Sequence, residues 1–318
     1  MLRFGTDGVR GVALREITPV AVQHFARAAA RALAFPGVVV GHDPRESSDE
    51  LAHAVAEGFR AEGLDVVYAG MLPTPAVAFL AATTGRAGAV ITASHNPYTD
   101  NGLKFFRPGG TKLTGADEAA IQSLYEGFVA DRVPLVPPAG NIDSGGGGDY
   151  VGHLASMATD VVPGLRVVVD CANGAMSRVA PELLSRIGVE AVVFNASPDG
   201  TNINVACGAA HPEALSKLVR ANHCDLGIAF DGDADRCLAV AEDGQPLDGD
   251  LLMLLCLRQG LAAGRLDKPD LVATVMSNLG LEEAVTAMGG SLVRAKVGDR
   301  YVLEEMRTRN IEIGRAHV

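Results

Sequence analysis

Three stretches of the chain share one pattern of apolar and polar positions. They are 38-VVVGHDPRESSDELAHAVAEGFRAEGLDVVYAG-70, 166-RVVVDCANGAMSRVAPELLSRIGVEAVVFNA-196 and 271-LVATVMSNLGLEEAVTAMGGSLVRAK-296. In each, a short β-branched run ends in a polar loop, an amphipathic segment follows, a glycine closes it, and a second β-branched run begins. Such spacing predicts parallel strands covered by helices. Its recurrence predicts an α/β protein of three topologically related α/β/α domains with mixed, largely parallel sheets, a repeat of topology and not of residues. Thr18 before Pro19, and Ser47 with Glu50 three residues on, read as helix N-termini. A further helix is predicted from about Thr114 to Val129.

The pattern breaks most clearly at 137-PPAGNIDSGGGGD-149, which reads as a flexible linker. Its four glycines have neither the spacing of a dinucleotide fingerprint nor the lysine of a P-loop. A second junction falls near residue 247, where the strand 237-CLAVAE-242, the turn 243-DGQP-246 and a helix starting near Asp248 follow one another. The expected domains are 1–140, 141–247 and 248–318.

Composition narrows the function. The chain has 318 residues, 48% of them hydrophobic, so a sizeable core is assured. A net charge of -11 argues against nucleic acid or an anionic membrane as partner, while leaving room for phosphates bound by a local cationic cluster. The five cysteines, Cys171, Cys207, Cys224, Cys237 and Cys256, form no CxxC pair, which predicts reduced thiols and neither a zinc knuckle nor a disulfide framework. There is no apolar signal region at the N-terminus and no 18-residue apolar run, and a cytoplasmic location is expected. Oligomeric state has no sequence signal.

Two stretches concentrate candidate chemistry. In 226-LGIAFDGDADRCLAVAEDG-244, an apolar strand delivers Asp231, Asp233 and Asp235 at its C-terminal end, the edge where open α/β sheets bind ligands. Alternate carboxylates converge on one face of an extended segment, and three anions so close call for a cation. Oxygen-only ligands point to a hard ion, Mg2+ or Ca2+, and away from zinc. An EF-hand puts glycine at the sixth position, where this chain has Arg236, and flanks its loop with helices where this chain has strands. In 90-VITASHNPYTDNGLKFF-106, Ser94 follows another strand end, with His95 beside it and Lys104 on the next strand. The serine reads either as a turn former or as a reactive hydroxyl. TASHN is not a nucleophile elbow, which disfavours a serine hydrolase, whereas phosphoryl transfer asks for a hydroxyl, a cation and nearby basic groups.

With 4-FGTDGVRG-11, the segments 92-TASHNP-97 and 231-DGDADR-236 resemble the signature set of the α-D-phosphohexomutases. The resemblance covers residues 3 to about 313. It is greatest toward the members that interconvert glucosamine 6-phosphate and glucosamine 1-phosphate, through 3-RFGTDGVRG-11, 100-DNGLKFF-106 and 294-RAKVGDRYVLEEM-306. What this resemblance implies is a phosphorylated Ser94, Mg2+ held by Asp231, Asp233, Asp235 and the serine phosphate, and Arg10 and Lys104 near the transferring group. Lys104 is expected as general acid or base, on the premise that other cations surround it. Arg236 either contacts the serine phosphate or pairs with an aspartate of its loop. The segment 311-IEIGRAHV-318 departs from the family's sugar loop, GE-x-SGH: His317 stands where that loop has its histidine, without the preceding Glu and Ser. The resemblance therefore leads to the expectation of an incomplete third domain, no fourth domain, and a sugar phosphate as the small-molecule partner. The alternatives are a fragment that binds metal and sugar phosphate without turnover, or a phosphomannomutase or phosphoglucomutase.

Overall fold

The computed structural model describes residues 1–5, 7–137, 143–144 and 147–316, in two compact units, Met1–Gln245 and Pro246–Val318. The first unit opens with β1 (Val9–Val12), α1 (Pro19–Leu33), β2 (Gly37–His42), α2 (Ser48–Ala61), β3 (Asp65–Met71), α3 (Thr74–Thr84), β4 (Ala87–Ile91), β5 (Asp100–Arg107), β6 (Thr111–Lys112) and α4 (Gly115–Ala130). After β7 (Asp143–Ser144) come α5 (Gly147–Met157), β8 (Arg166–Asp170), α6 (Met176–Arg186), β9 (Glu190–Phe194), α7 (Pro212–Asn222), β10 (Leu226–Phe230) and β11 (Cys237–Ala241). The second unit contains β12 (Pro246–Leu247), α8 (Gly249–Ala262), β13 (Leu271–Thr274), α9 (Leu279–Ala287), β14 (Leu292–Ala295) and α10 (Asp299–Arg309).

All three predicted βαβ units form, as the parallel pairs β2/β3, β8/β9 and β13/β14. The sheets are mixed. The first runs β1-β5-β4-β2-β3-β7, with β5 antiparallel to both β1 and β4; the second contains β11-β10-β8-β9 in that order, with β10 antiparallel to β11. Strand β2 is buried along its whole length, the signature of a sheet covered on both faces. One core packs α1, α2 and α4 on the first sheet through Phe25, Leu51, Phe59, Ile121 and Tyr125. Another is shared by the two sheets: Val39, Val77 and Val90 of the first pack in one cluster with Val151, Val167 and Val179 of the second. That shared core makes residues 1–245 a single unit, and it fixes the strand edges of both sheets relative to each other.

One local expectation fails in part. Ser47 does precede α2, but its side chain makes no capping bond; its hydroxyl instead accepts from Asn101 Nδ2 at 2.9 Å. Thr18 behaves as expected, accepting from Ala21 N at 3.2 Å, and the full capping box sits at Thr114 and Asp117. Of the expected linker, residues 138–142 and 145–146 lie outside the described residues; Asp143–Ser144 pair in parallel with Val67–Tyr68, and Gly147 and Gly148 open α5. Burial of Tyr150 and Val151, with Leu154 packed against the same core, outweighs the poor helix propensity of two glycines at the first turn of α5. Among the described residues no helix is long and apolar enough to cross a membrane.

Candidate active site

Each predicted reactive segment leaves its strand at a C-terminal end, and the shared core brings the two ends together. Ser94, three residues past β4, has φ of 54°, left-handed for a non-glycine residue. Such a backbone is uphill by roughly 1 kcal/mol and persists only when neighbours over-determine it. Here they do. The Ser94 amide donates to Thr92 Oγ1 at 2.9 Å, and the Ser94 carbonyl accepts from Arg45 Nη2 and from Asn204 Nδ2, both at 2.9 Å. The carbonyl also lies against the aspartate loop, where a Cβ on Gly232 would stand 2.6 Å from it. Glycine at 232 is what lets the two loops touch.

The Ser94 hydroxyl donates to Asp231 Oδ2 at 2.6 Å and accepts from Arg236 Nη2 at 3.0 Å. Arg236 also bonds Asp231 and sits against the His95 ring. Of the two readings left open for Arg236, the pairing with an aspartate of its loop is present, and the same guanidinium also donates to the Ser94 hydroxyl. Asp231, Asp233 and Asp235 present ligand atoms within 4.8 Å of one another. The loop is a tight turn, with Ala234 N bonded to Asp231 O and Ala234 itself left-handed. Asp233 is fully buried: Oδ2 takes Thr74 Oγ1 at 2.6 Å and Lys104 Nζ at 2.8 Å, while Oδ1 has no hydrogen-bond partner.

Charge alone makes this cluster unusual. Burial, reinforced by Asp233 and Asp235, pushes Asp231 well above the usual carboxylate range. Burial and Asp233 likewise push Asp235 up. Asp233 goes the other way, since Lys104 outweighs the effect of its burial. Three carboxylates with a buried orphan oxygen and one hydroxyl form an all-oxygen donor set, which fits a hard divalent cation and suits neither zinc nor copper.

Lys104 departs from the sequence premise. It lies on β5 with its ammonium fully buried among anions, 2.8 Å from each of Asp7, Asp233 and Asp235. Burial would lower its pKa, but the three carboxylates outweigh burial and hold it charged well above the usual lysine range. The surroundings are anionic where cations were expected, because β1, β5 and the aspartate loop all converge there. Arg10 on β1 pairs with Asp7 and reaches Asn96 Oδ1 at 3.4 Å, leaving its buried Nε without a partner. His317 lies outside the described residues.

Five contributors escaped the sequence reading: Asp7, Asp43, Arg45, Thr74 and Asn204. Asp7 stood in the quoted FGTDGVRG motif without a role, and burial plus two lysines, Lys104 and Lys112, place it; the lysines outweigh burial and depress its pKa. Asp43 and Arg45 follow β2 at the strand edge that drew attention to Ser94, so the same rule could have found them. Nothing in the sequence marks Asn204 or Thr74, whose partners lie 110 and 159 positions away.

Residues 1–128, 148–244 and 248–315 match alpha/beta/alpha domains I, II and III of the phosphoglucomutase/phosphomannomutase family. The chain belongs to that family. It is 47% identical to a phosphoglucosamine mutase of Rhodococcus opacus and 45% identical to one of Bifidobacterium animalis subsp. lactis, in each case over 98% of this chain and 72% of the relative. A crystal structure of a phosphoglucomutase/phosphomannomutase family protein from Burkholderia thailandensis superposes with a TM-score of 0.84 at 29% identity, covering 98% of this chain and 70% of that one.

Proposed function

We propose that this chain is a phosphoglucosamine mutase, interconverting glucosamine 6-phosphate and glucosamine 1-phosphate through a phosphoryl group carried on Ser94. The observation that supports it best is the convergence on one hydroxyl: Asp231 accepts from Ser94, Arg236 donates to it, and Lys104 stands on the same carboxylate cluster. The identity to phosphoglucosamine mutases over 98% of the chain selects the amino sugar.

In the forward direction phospho-Ser94 gives its phosphoryl group to the free hydroxyl of the sugar monophosphate. A bisphosphate results, turns over, and returns its other phosphate to the serine. Asp231, Asp233, Asp235 and the phosphorylated Ser94 would hold Mg2+; when bound, it neutralises phosphoryl charge and offsets the carboxylates' hold on the Lys104 ammonium. Arg236, already on the Ser94 oxygen, steadies the phosphoryl oxygens as charge redistributes. Arg10, which reaches Asn96 Oδ1 of the same loop through Nη1, is a second donor there. Each transfer moves one proton from the attacking hydroxyl to the departing oxygen: Lys104, held charged, would donate to the departing oxygen and be recharged by the proton that the attacking hydroxyl releases, in both half-reactions. The place of action is the cytoplasm, in keeping with free thiols at all five cysteines.

Phosphorus NMR of glucosamine 6-phosphate with Mg2+ and a trace of hexose 1,6-bisphosphate tests this reading: a 1-phosphate resonance is expected, with phosphate mapped to Ser94. Binding without that resonance would leave a sugar-phosphate-binding protein and refute the mutase. Calorimetry tests the cation site, where Asp233→Asn should weaken Mg2+ binding at least about tenfold, and equal affinities would remove the loop as ligand.

A further inference from the structure

Ser94 is held at its carbonyl by two residues, Arg45 and Asn204, that lie outside every motif that carries the chemistry. Arg45, its side chain fully buried, donates through Nη2 to the carbonyls of Ser94 and Asn96, both at 2.9 Å, and through Nη1 to the Asp100 carbonyl at 3.3 Å. Asn204, from the other sheet's loops, reaches the same two carbonyls, at 2.9 Å for Ser94 and 3.3 Å for Asn96. Asp43 anchors the arrangement: one oxygen takes Arg45 Nε at 3.2 Å and Thr92 Oγ1 at 2.7 Å, and Thr92 in turn receives the Ser94 amide. Both peptide groups flanking Ser94 therefore trace back to one carboxylate.

The geometry points to Arg45 and Asn204 as positioning residues, a two-sided clamp that keeps Ser94 in its left-handed conformation and so aims the phosphoryl group it bears. This rests on the reading of Ser94 as phosphoryl carrier. Neither residue donates to the hydroxyl, so the clamp acts through orientation and not through charge on the transferring group. It should therefore govern the rate of transfer and leave sugar affinity alone, because a misaimed phosphoryl loses in-line geometry without losing any contact to the sugar. A lysine at position 45 keeps the charge beside Asp43 but lacks the planar fork that serves several acceptors at once.

The test follows phosphorylation of Ser94 by hexose 1,6-bisphosphate with Mg2+ in the whole chain, quenched and read by peptide mass. The maximal rate for Arg45→Lys should fall at least about tenfold, and for Asn204→Ala about threefold, each with half-saturation within about twofold of the parent. Parent rates in folded variants overturn the clamp, and so does a raised half-saturation at unchanged maximal rate, which would make these binding residues. Should Arg45→Lys fail to fold, Asn204→Ala decides alone, since its amide is independent of the Asp43 pair. A parent that takes no phosphate at Ser94 overturns the carrier reading and the clamp with it.

Discussion

Strands β2 and β8 hold the same place in two successive βαβ units, and each brings a fully buried aspartate to its C-terminal edge, Asp43 and Asp170. Their partners differ in kind. Asp170 is satisfied by neutral donors of its own half of the unit: the amides of Ala172 and Gly208 at 2.9 Å and Asn195 Nδ2 at 3.0 Å. Asp43 takes Ser48 Oγ and the Arg45 amide, and then a guanidinium and Thr92, both of which lead to Ser94. A repeated fold thus supplies a repeated buried acceptor, and what each acceptor does depends on whether a long charged side chain stands two residues later. At 45 that side chain is arginine; two residues past Asp170 stands Ala172.

The comparison can be broken by exchanging charge for an amide at each edge. Asp43→Asn removes one partner of a buried ion pair, a class of change that costs about 3 to 5 kcal/mol. It should also slow Ser94 phosphorylation about tenfold or more, at a temperature where the protein stays folded. Asp170→Asn should lower stability by about 1 to 3 kcal/mol through its amide bonds and leave the folded protein's phosphorylation rate at the parent value. Denaturant unfolding and the phosphorylation assay, run on both, check it; equal kinetic losses would erase the distinction drawn here.

Contact between the two loops offers a sharper and smaller perturbation. Gly232→Ala places a methyl 2.6 Å from the Ser94 carbonyl and 2.8 Å from Asn204 Nδ2, so one loop must shift. A loss of about tenfold in turnover, with stability reduced by about 1 to 2 kcal/mol, is the expected result. Parent turnover would show that the loops tolerate displacement.

The smallest effect concerns an aspartate paired with an arginine away from the site. Asp117 caps α4 and pairs with Arg107, whose hydrogen bond leads the causes that lower its pKa from 3.8 to about 2. Because the folded value lies below the unfolded one, the stabilisation is present above about pH 4 and is lost as pH falls through about 2. With Arg107 half exposed, it amounts to about 1 kcal/mol. Asp117→Asn should flatten stability against pH across that window while turnover near neutrality stays unchanged; a turnover loss would mean that an aspartate–arginine pair need not lead to Ser94 to govern turnover.

Much of this arrangement was legible in the linear pattern, for definable reasons. The three βαβ units show because β-branched runs and helical periodicity are local, and Ser94 and the three aspartates show because each follows a strand end. Ser47 marks the start of α2 as expected, but makes no capping bond because its hydroxyl has a competing donor, Asn101, on a strand that sequence cannot bring near it. The start of α5 at Gly147 was not legible because composition speaks for propensity, while Tyr150 and Val151 of that helix join a core with residues of α3 and α6.

The sequence by itself determined which elements form and which side chains stand at their ends, since both follow from periodicities of two and 3.6 residues and from the chemistry of single positions. Only the tertiary structure decided the surroundings of Lys104, the bridging role of Arg236 and the convergence of Arg45 and Asn204 on one carbonyl. Each of those depends on a core shared by two sheets, and a core is a sum of contacts among residues far apart in the chain. Charge environment follows from that sum: the premise that cations surround Lys104 came from the lysine's motif, and the carboxylates that hold it charged came from Asp7, ahead of β1, and from the loop after β10.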